Sequence, residues 1–259
     1  MMKALILAAV VASPALATTQ DDVLSAQILP GWQMENGHHM AGVSLQLAPE
    51  WKTYWRSPGA AGIPPLFNWS GSENVKSVRV LWPSPQVFHT NGMQTIGYHD
   101  GVILPLEVVA IDPSQPVSLR AQVDLGVCNE ICMPAAVEMT ADLGMAAAPD
   151  AAIKAALRRL PERVKAAKIS CEVAPIADGL RLTAQIDLPQ RGGETLVFEL
   201  ADSSIWVGEA VTARIGGRLS SAVDLVAGNG APFALDRSGV LVTVLGGDGA
   251  LEIAGCPAP

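Results

Sequence analysis

The chain has 259 residues, 49% hydrophobic and 16% charged, with a formal net charge of −8. That length supports about two domains with a sizeable core. The acidic balance and the lack of any Lys/Arg-rich block argue against nucleic-acid binding, and the apolar content argues against disorder.

The first 17 residues read as a secretory signal peptide. Lys3 supplies a positive start, Ala4 to Ala12 is a continuous apolar run, Pro14 breaks it, and Ala15-Leu16-Ala17 offers small residues at a cleavage site. The run is too short to span a bilayer, which takes about 20 residues. No later stretch reads as a transmembrane helix, so the mature chain is expected not to span a membrane. It is expected in an oxidising compartment, where disulfides persist.

From there the pattern is β. The 24 Gly and 19 Pro are scattered without period, as in a turn-rich chain. Residues 41–47, 75–81 and 117–123 alternate apolar and polar with period two. Residues 102–109 form a near-continuous apolar run, as expected of a strand covered on both faces. Five of six Trp (32, 51, 55, 69, 82) and all four His (38, 39, 89, 99) precede residue 100. The stretch from Ala48 through Trp51, Trp55 and Pro64-Pro65 to Trp69 reads as an irregular, proline-stiffened loop. Its large aromatic anchors are either packing or a rigid partner platform.

Cys128 and Cys132 lie four residues apart. An extended chain would separate them by about 13 Å, beyond the roughly 4.4–6.8 Å between bridged Cα atoms. The segment must fold back, as a hairpin or a helical turn. Spacing alone leaves two readings open, a readily reduced redox pair or a structural loop staple. Glu130 between them would disfavour a neighbouring thiolate.

Asp150 is a good N-cap, and Ile153, Leu157 and Leu160 recur at helical spacing, with Pro161 ending or kinking the helix. Residues 149–168 are taken as a helical connector. Beyond it, 180–188, 195–200, 211–215, 239–245 and 250–254 read as strands of a second β domain. Cys171 and Cys256 flank that domain and read as a structural disulfide. Closing a loop of this length stabilises by roughly 4 kcal/mol. The predicted class is therefore all-β, two β-sandwich-like domains over 18–148 and 169–259 joined by the connector.

Other chemistries find less support. His38, His39, Met34, Met40, His89, Met93 and His99 would suit Cu(I) by donor type. Adjacent His on a strand point to opposite faces, however, and scattered surface His is the better reading. No metal site and no cofactor is expected. There is no Gly-x-Ser-x-Gly elbow and no glycine-rich phosphate loop.

The motif Trp51-Lys52-Thr53-Tyr54-Trp55-Arg56-x-Pro58-Gly59-x-x-Gly62-x-Pro64-Pro65 resembles the amino-terminal periplasmic domain of DsbD-like and ScsB-like thiol–disulfide interchange proteins. So do Trp82-Pro83-x-Pro85, Gly97-Tyr98, the strand from Val102 to Pro105, and Gly126-Val127-Cys128 to Cys132-x-Pro134. The resemblance covers about residues 38–143; the rest is similar, less specifically, to the longer amino-terminal region of ScsB-like proteins. It implies an immunoglobulin-like β-sandwich in the first domain and a relay of reducing equivalents through Cys128 and Cys132. Cys132 would engage the partner and Cys128 would resolve the mixed disulfide. The segment Phe88-His89-Thr90-Asn91-Gly92-Met93 would cap the pair, and Trp55, Tyr98 and Glu130 would belong to the partner platform. Implied partners are periplasmic thioredoxin-fold oxidoreductases and a separate membrane thiol-electron transporter. DsbD itself has a wider cysteine spacing, so the ScsB-like branch is the nearer. The alternative functions are a non-enzymatic copper-handling or partner-docking module, and a β-sandwich with two inert disulfides.

Overall fold

The computed structural model describes residues 18–90, 92–144, 148–165, 168–247 and 249–259. The expected signal peptide and Asn91 lie outside the described residues. No helix among the described residues is long and apolar enough to cross a membrane.

The first half opens with a single helical turn, α1 (Gln20–Val23). Ten strands follow: β1 (Leu24–Gln33), β2 (His39–Leu47), β3 (Lys52–Tyr54), β4 (Leu66–Asn68), β5 (Val75–Val80), β6 (Gln86–Thr90), β7 (Met93–His99), β8 (Gly101–Ala110), β9 (Val117–Cys128) and β10 (Cys132–Leu143). They form two antiparallel sheets, ordered β1-β2-β8-β5 and β10-β9-β3-β7-β6, with β4 added to β9. Alternation explains the sandwich. Along β9 the side chains of Val117, Leu119, Ala121, Val123, Leu125 and Val127 all point inward and are buried, and the residues between them are more exposed up to Asp124. Trp55, Leu104, Leu106 and Leu143 fill the space between the sheets.

The connector begins as expected. The Asp150 carboxylate accepts from the N–H groups of Ala152 and Ile153 at 2.7 and 2.9 Å, capping α2 (Ala151–Leu157). Helix α2 packs on β8, and Ile153 is fully buried at Gly42, where an added Cβ would come within 3.1 Å of it. This covers the outer face of the first sheet and accounts for the near-continuous apolar run of β8. The helix does not continue to 168. Pro161 cannot donate a backbone hydrogen bond and disfavours helical geometry before it. Beyond it β11 (Glu162–Val164) is extended, pairing parallel with the strand at 249–254.

The second half contains β12 (Ile169–Ile176), β13 (Gly179–Ile186), β14 (Thr195–Leu200), β15 (Ile205–Val207), β16 (Val211–Ile215), β17 (Arg218–Ala227), β18 (Val240–Gly246) and β19 (Gly249–Ala254). Its sheets run β11-β19-β18-β14 and β12-β13-β17-β15, with β16 also on β17. The fold class is thus all-β, two sandwiches with one short helix between them. Leu182, Ile186, Leu225, Val242 and Ile253 are fully buried in the second core together with Cys171 and Cys256. These two cysteines are disulfide-bonded, with Cα atoms 5.5 Å apart.

The halves share a packed seam. Val197, Leu245 and Ala250 of the second half contribute to the first core. Arg56, in the first half, donates to both carboxylate oxygens of Glu199 at 2.8 and 2.9 Å and to Glu252 at 2.8 Å.

Elsewhere in the second half Arg214 donates to Glu194 at 2.7 Å, and the Arg191 N–H donates to the same carboxylate. These bonds hold the Glu194 carboxyl down at about 2. A depressed carboxylate stabilises the fold in full above its unfolded value near 4.5, and that contribution is lost as the pH falls towards about 2. The Glu194→Gln variant should therefore lose part of the parent's acid dependence. Urea midpoints at about pH 3 and about pH 6 should lie closer together than in the parent, and an unchanged gap would refute the assignment.

Candidate functional site

The site is built where β3, β9 and the β9–β10 turn meet. β9 ends at Cys128 and β10 begins at Cys132, and the two residues face each other across the ladder with Cα atoms 4.1 Å apart. Of the two routes open to the sequence, the chain takes the hairpin. The Asn129 N–H donates to the Ile131 carbonyl at 3.2 Å, and the cysteines are disulfide-bonded. The two sulfur-bearing residues are not equivalent. Cys128 is 2% exposed, whereas Cys132 is an exposed residue beside Ile131, which is 72% exposed.

Strand β3 supplies the surroundings of Cys128. Lys52 lies opposite Cys128 in the ladder, and Thr53 bonds through its hydroxyl to the Gly126 carbonyl at 2.9 Å. Period-two alternation puts Lys52 and Tyr54 on one face of the strand. The Tyr54 hydroxyl donates to the Cys128 sulfur at 3.1 Å and lies 3.5 Å from that of Cys132. Gly126 makes room for this ring: a Cβ there would stand 2.9 Å from Tyr54 and from Ile63. Burial raises the Tyr54 hydroxyl above its ordinary value, so it remains a donor at neutral pH. Burial likewise lowers the Lys52 ammonium, whose Nζ sits 5.1 Å from the centroid of the Phe88 ring.

The segment expected to cap the pair is built largely from strand ends. Phe88 and His89 lie in β6, which ends at Thr90, Met93 begins β7 opposite Thr90, and Gly92 has φ +78°. Phe88 and His89 line a cavity of about 610 Å³ with Lys52, His99, Cys128 and Glu130. The hairpin therefore flanks the buried cysteine, while Met93 is 53% exposed at its tip.

Other expected site residues lie elsewhere. Trp55 is fully buried, with the Arg56 guanidinium 4.2 Å from its ring, so it cannot be an exposed platform. Tyr98 is also buried and donates to the Pro83 carbonyl at 2.7 Å; burial raises its hydroxyl. The histidines are dispersed. His38 lies 2.9 Å from Glu107, His99 lies 3.0 Å from Asp100, and His89 is exposed. His39 departs from the surface reading: it is 1% exposed in β2, its Nδ1 has no partner, and burial lowers its pKa.

The tryptophan-rich motif contains Tyr54 and Lys52, and the sequence assigns them no role because the stretch reads as loop. Its first residues form strand β3. The available signal was the alternation of Lys52 and Tyr54 just after Trp51, on a strand short enough to miss.

Residues 22–143 match the family model described as "Thiol:disulfide interchange protein DsbD, N-terminal". Among solved structures, the chain is similar to the N-terminal periplasmic domain of ScsB from Proteus mirabilis. Identity is 24%, the TM-score is 0.68, and the match covers 93% of this chain and 96% of that one. No curated protein matches.

Proposed function

We propose, from the match of residues 22–143 to the DsbD N-terminal model of thiol:disulfide interchange proteins, that Cys128 and Cys132 relay reducing equivalents to a thioredoxin-fold partner in the periplasm. The observation that carries this reading is the asymmetry of the pair: one cysteine exposed, the other buried against a hydroxyl donor.

The asymmetry sorts the roles. In the reduced protein the Cys132 thiolate is the accessible nucleophile and attacks a partner disulfide sulfur, expelling the partner's second cysteine as a thiolate. The Cys128 thiolate then attacks the Cys132 sulfur, closes the disulfide of this chain and releases the partner's remaining cysteine as a thiolate. The partner gains two electrons and this chain loses two. In the reverse direction a donor thiolate attacks Cys132, and Cys128 leaves. The Tyr54 hydroxyl is positioned to stabilise Cys128 whenever it carries negative charge. The electron donor in this reading is a separate membrane thiol transporter, and 1–17 is the export signal.

Reactivity tests it. A small dithiol should reduce the 128–132 disulfide at least about tenfold faster than the 171–256 disulfide, whose residues are 0% and 1% exposed. Timed alkylation and peptide mass spectrometry would follow both. Equal resistance of the two disulfides would favour the inert structural reading.

A further inference from the structure

The second sandwich is bonded to the chain beside the redox site through Arg56. Arg56 lies two residues beyond Tyr54. Its guanidinium lies over the buried Trp55 ring and reaches across the seam to the carboxylates of Glu199 on β14 and Glu252 on β19. All three charged side chains are largely shielded, at 20%, 22% and 14% exposure. One cation satisfies two carboxylates, and the bidentate bond to Glu199 fixes its orientation.

The chain between Arg56 and the sulfurs has little slack. The Trp55 N–H donates to the Ile96 carbonyl at 3.0 Å, and the Ile96 N–H donates to the Pro58 carbonyl at 3.0 Å. Tyr54 itself pairs with Gly97. At Gly97 a side chain would collide with the Thr53 carbonyl, so β3 and β7 lie in close contact. The strand carrying the Tyr54 ring is thus held between β9 and β7, and two residues further on the chain is tied through Arg56 to the second sandwich.

We propose that Arg56 is a positioning residue: gripped by Glu199 and Glu252, it lets residues 169–259 set the reactivity of the Cys128–Cys132 couple by fixing the Tyr54 hydroxyl on the Cys128 sulfur. A hydroxyl donor favours a thiolate or thiol over a disulfide sulfur, which is the weaker acceptor. Holding it in place favours the reduced form and lowers the pKa of Cys128. Releasing it favours the disulfide. The proposal rests on the exchange reading above.

The experiment equilibrates the full chain with dithiothreitol. The dithiol gives up two electrons and two protons, the Cys128–Cys132 bond breaks to two thiols, and the reagent closes to its cyclic disulfide. Arg56→Met should shift this equilibrium towards the protein disulfide by about fivefold. Tyr54→Phe should shift it by a similar factor, and the double variant no further than Tyr54→Phe alone, since Arg56 acts through that hydroxyl. The pH profile for alkylation of reduced Cys128 should move upward in both single variants. Glu252→Gln keeps an acceptor but removes a charge; it should shift the equilibrium the same way by less, and supplies the comparison if Arg56→Met does not fold. An Arg56→Met protein that melts cooperatively yet equilibrates within about twofold of the parent would overturn the proposal. So would a double variant whose shift is the product of the two single shifts. A parent disulfide that does not exchange with dithiothreitol would remove the exchange reading instead.

Discussion

Cys128→Ser should accumulate a mixed disulfide with a thioredoxin-fold partner, and Cys132→Ser should not. In the first variant the exposed Cys132 can still attack, but the only thiol placed to release the partner is gone. In the second, the remaining Cys128 is 2% exposed and lies under Tyr54 beside the Phe88 hairpin, so a partner sulfur cannot approach in line. The difference in trapped adduct should be about tenfold or more. Non-reducing electrophoresis and mass spectrometry of the adduct would read it. Equal trapping would cancel the division of roles, and no trapping by either would favour the docking or structural readings.

The second large effect concerns stability. Replacing Cys171 and Cys256 together with Ala should destabilise the second sandwich by roughly 4 kcal/mol, because the bond closes a loop of 85 residues. Both sulfurs are buried, so the loss of packing adds to the loss of the cross-link. Local bonds supply only partial compensation. The Arg237 guanidinium donates to the Cys171 carbonyl at 2.8 Å, and the Cys171 N–H donates to the Pro257 carbonyl at 2.7 Å. Amide exchange in urea would separate the halves. Protection should fall across 169–254 and change far less in β9 and β10. A uniform fall would mean that the two sandwiches unfold as one unit.

Much of this architecture was legible in the sequence, for definite reasons. The fold-back at Cys128–Cys132 followed from reach alone. β14 and β16 were readable at their observed bounds because each is a short run between turn residues. β10 escaped notice: it alternates, but with Ala, Glu, Thr and Asp on its exposed positions and Ala or Met among the buried ones, so its apolar contrast is weak. The pairing of β6 with β7 was hidden because the whole segment 88–93 reads as a cap rather than as two strand ends. The seam was out of reach altogether. Arg56 meets Glu199 and Glu252 across 143 and 196 residues, and no local pattern encodes a contact at that separation. For Trp55 the sequence leaves packing and platform both open, and burial of Trp55 and Tyr98 favours packing anchors.

The strand β11 pairs in parallel with β19, and Cys171 bonds to Cys256, so the second sandwich is closed by joining its first residues to its last. The consequence is temporal. A chain that enters an oxidising compartment amino terminus first presents Cys171 there before Cys256. Cys128 and Cys132 emerge before either and need only a three-residue turn to meet. Their bond can form while no competing cysteine exists, which leaves Cys171 to wait for the one correct partner. The order of the four cysteines along the chain thereby guards the pairing without help from the finished fold.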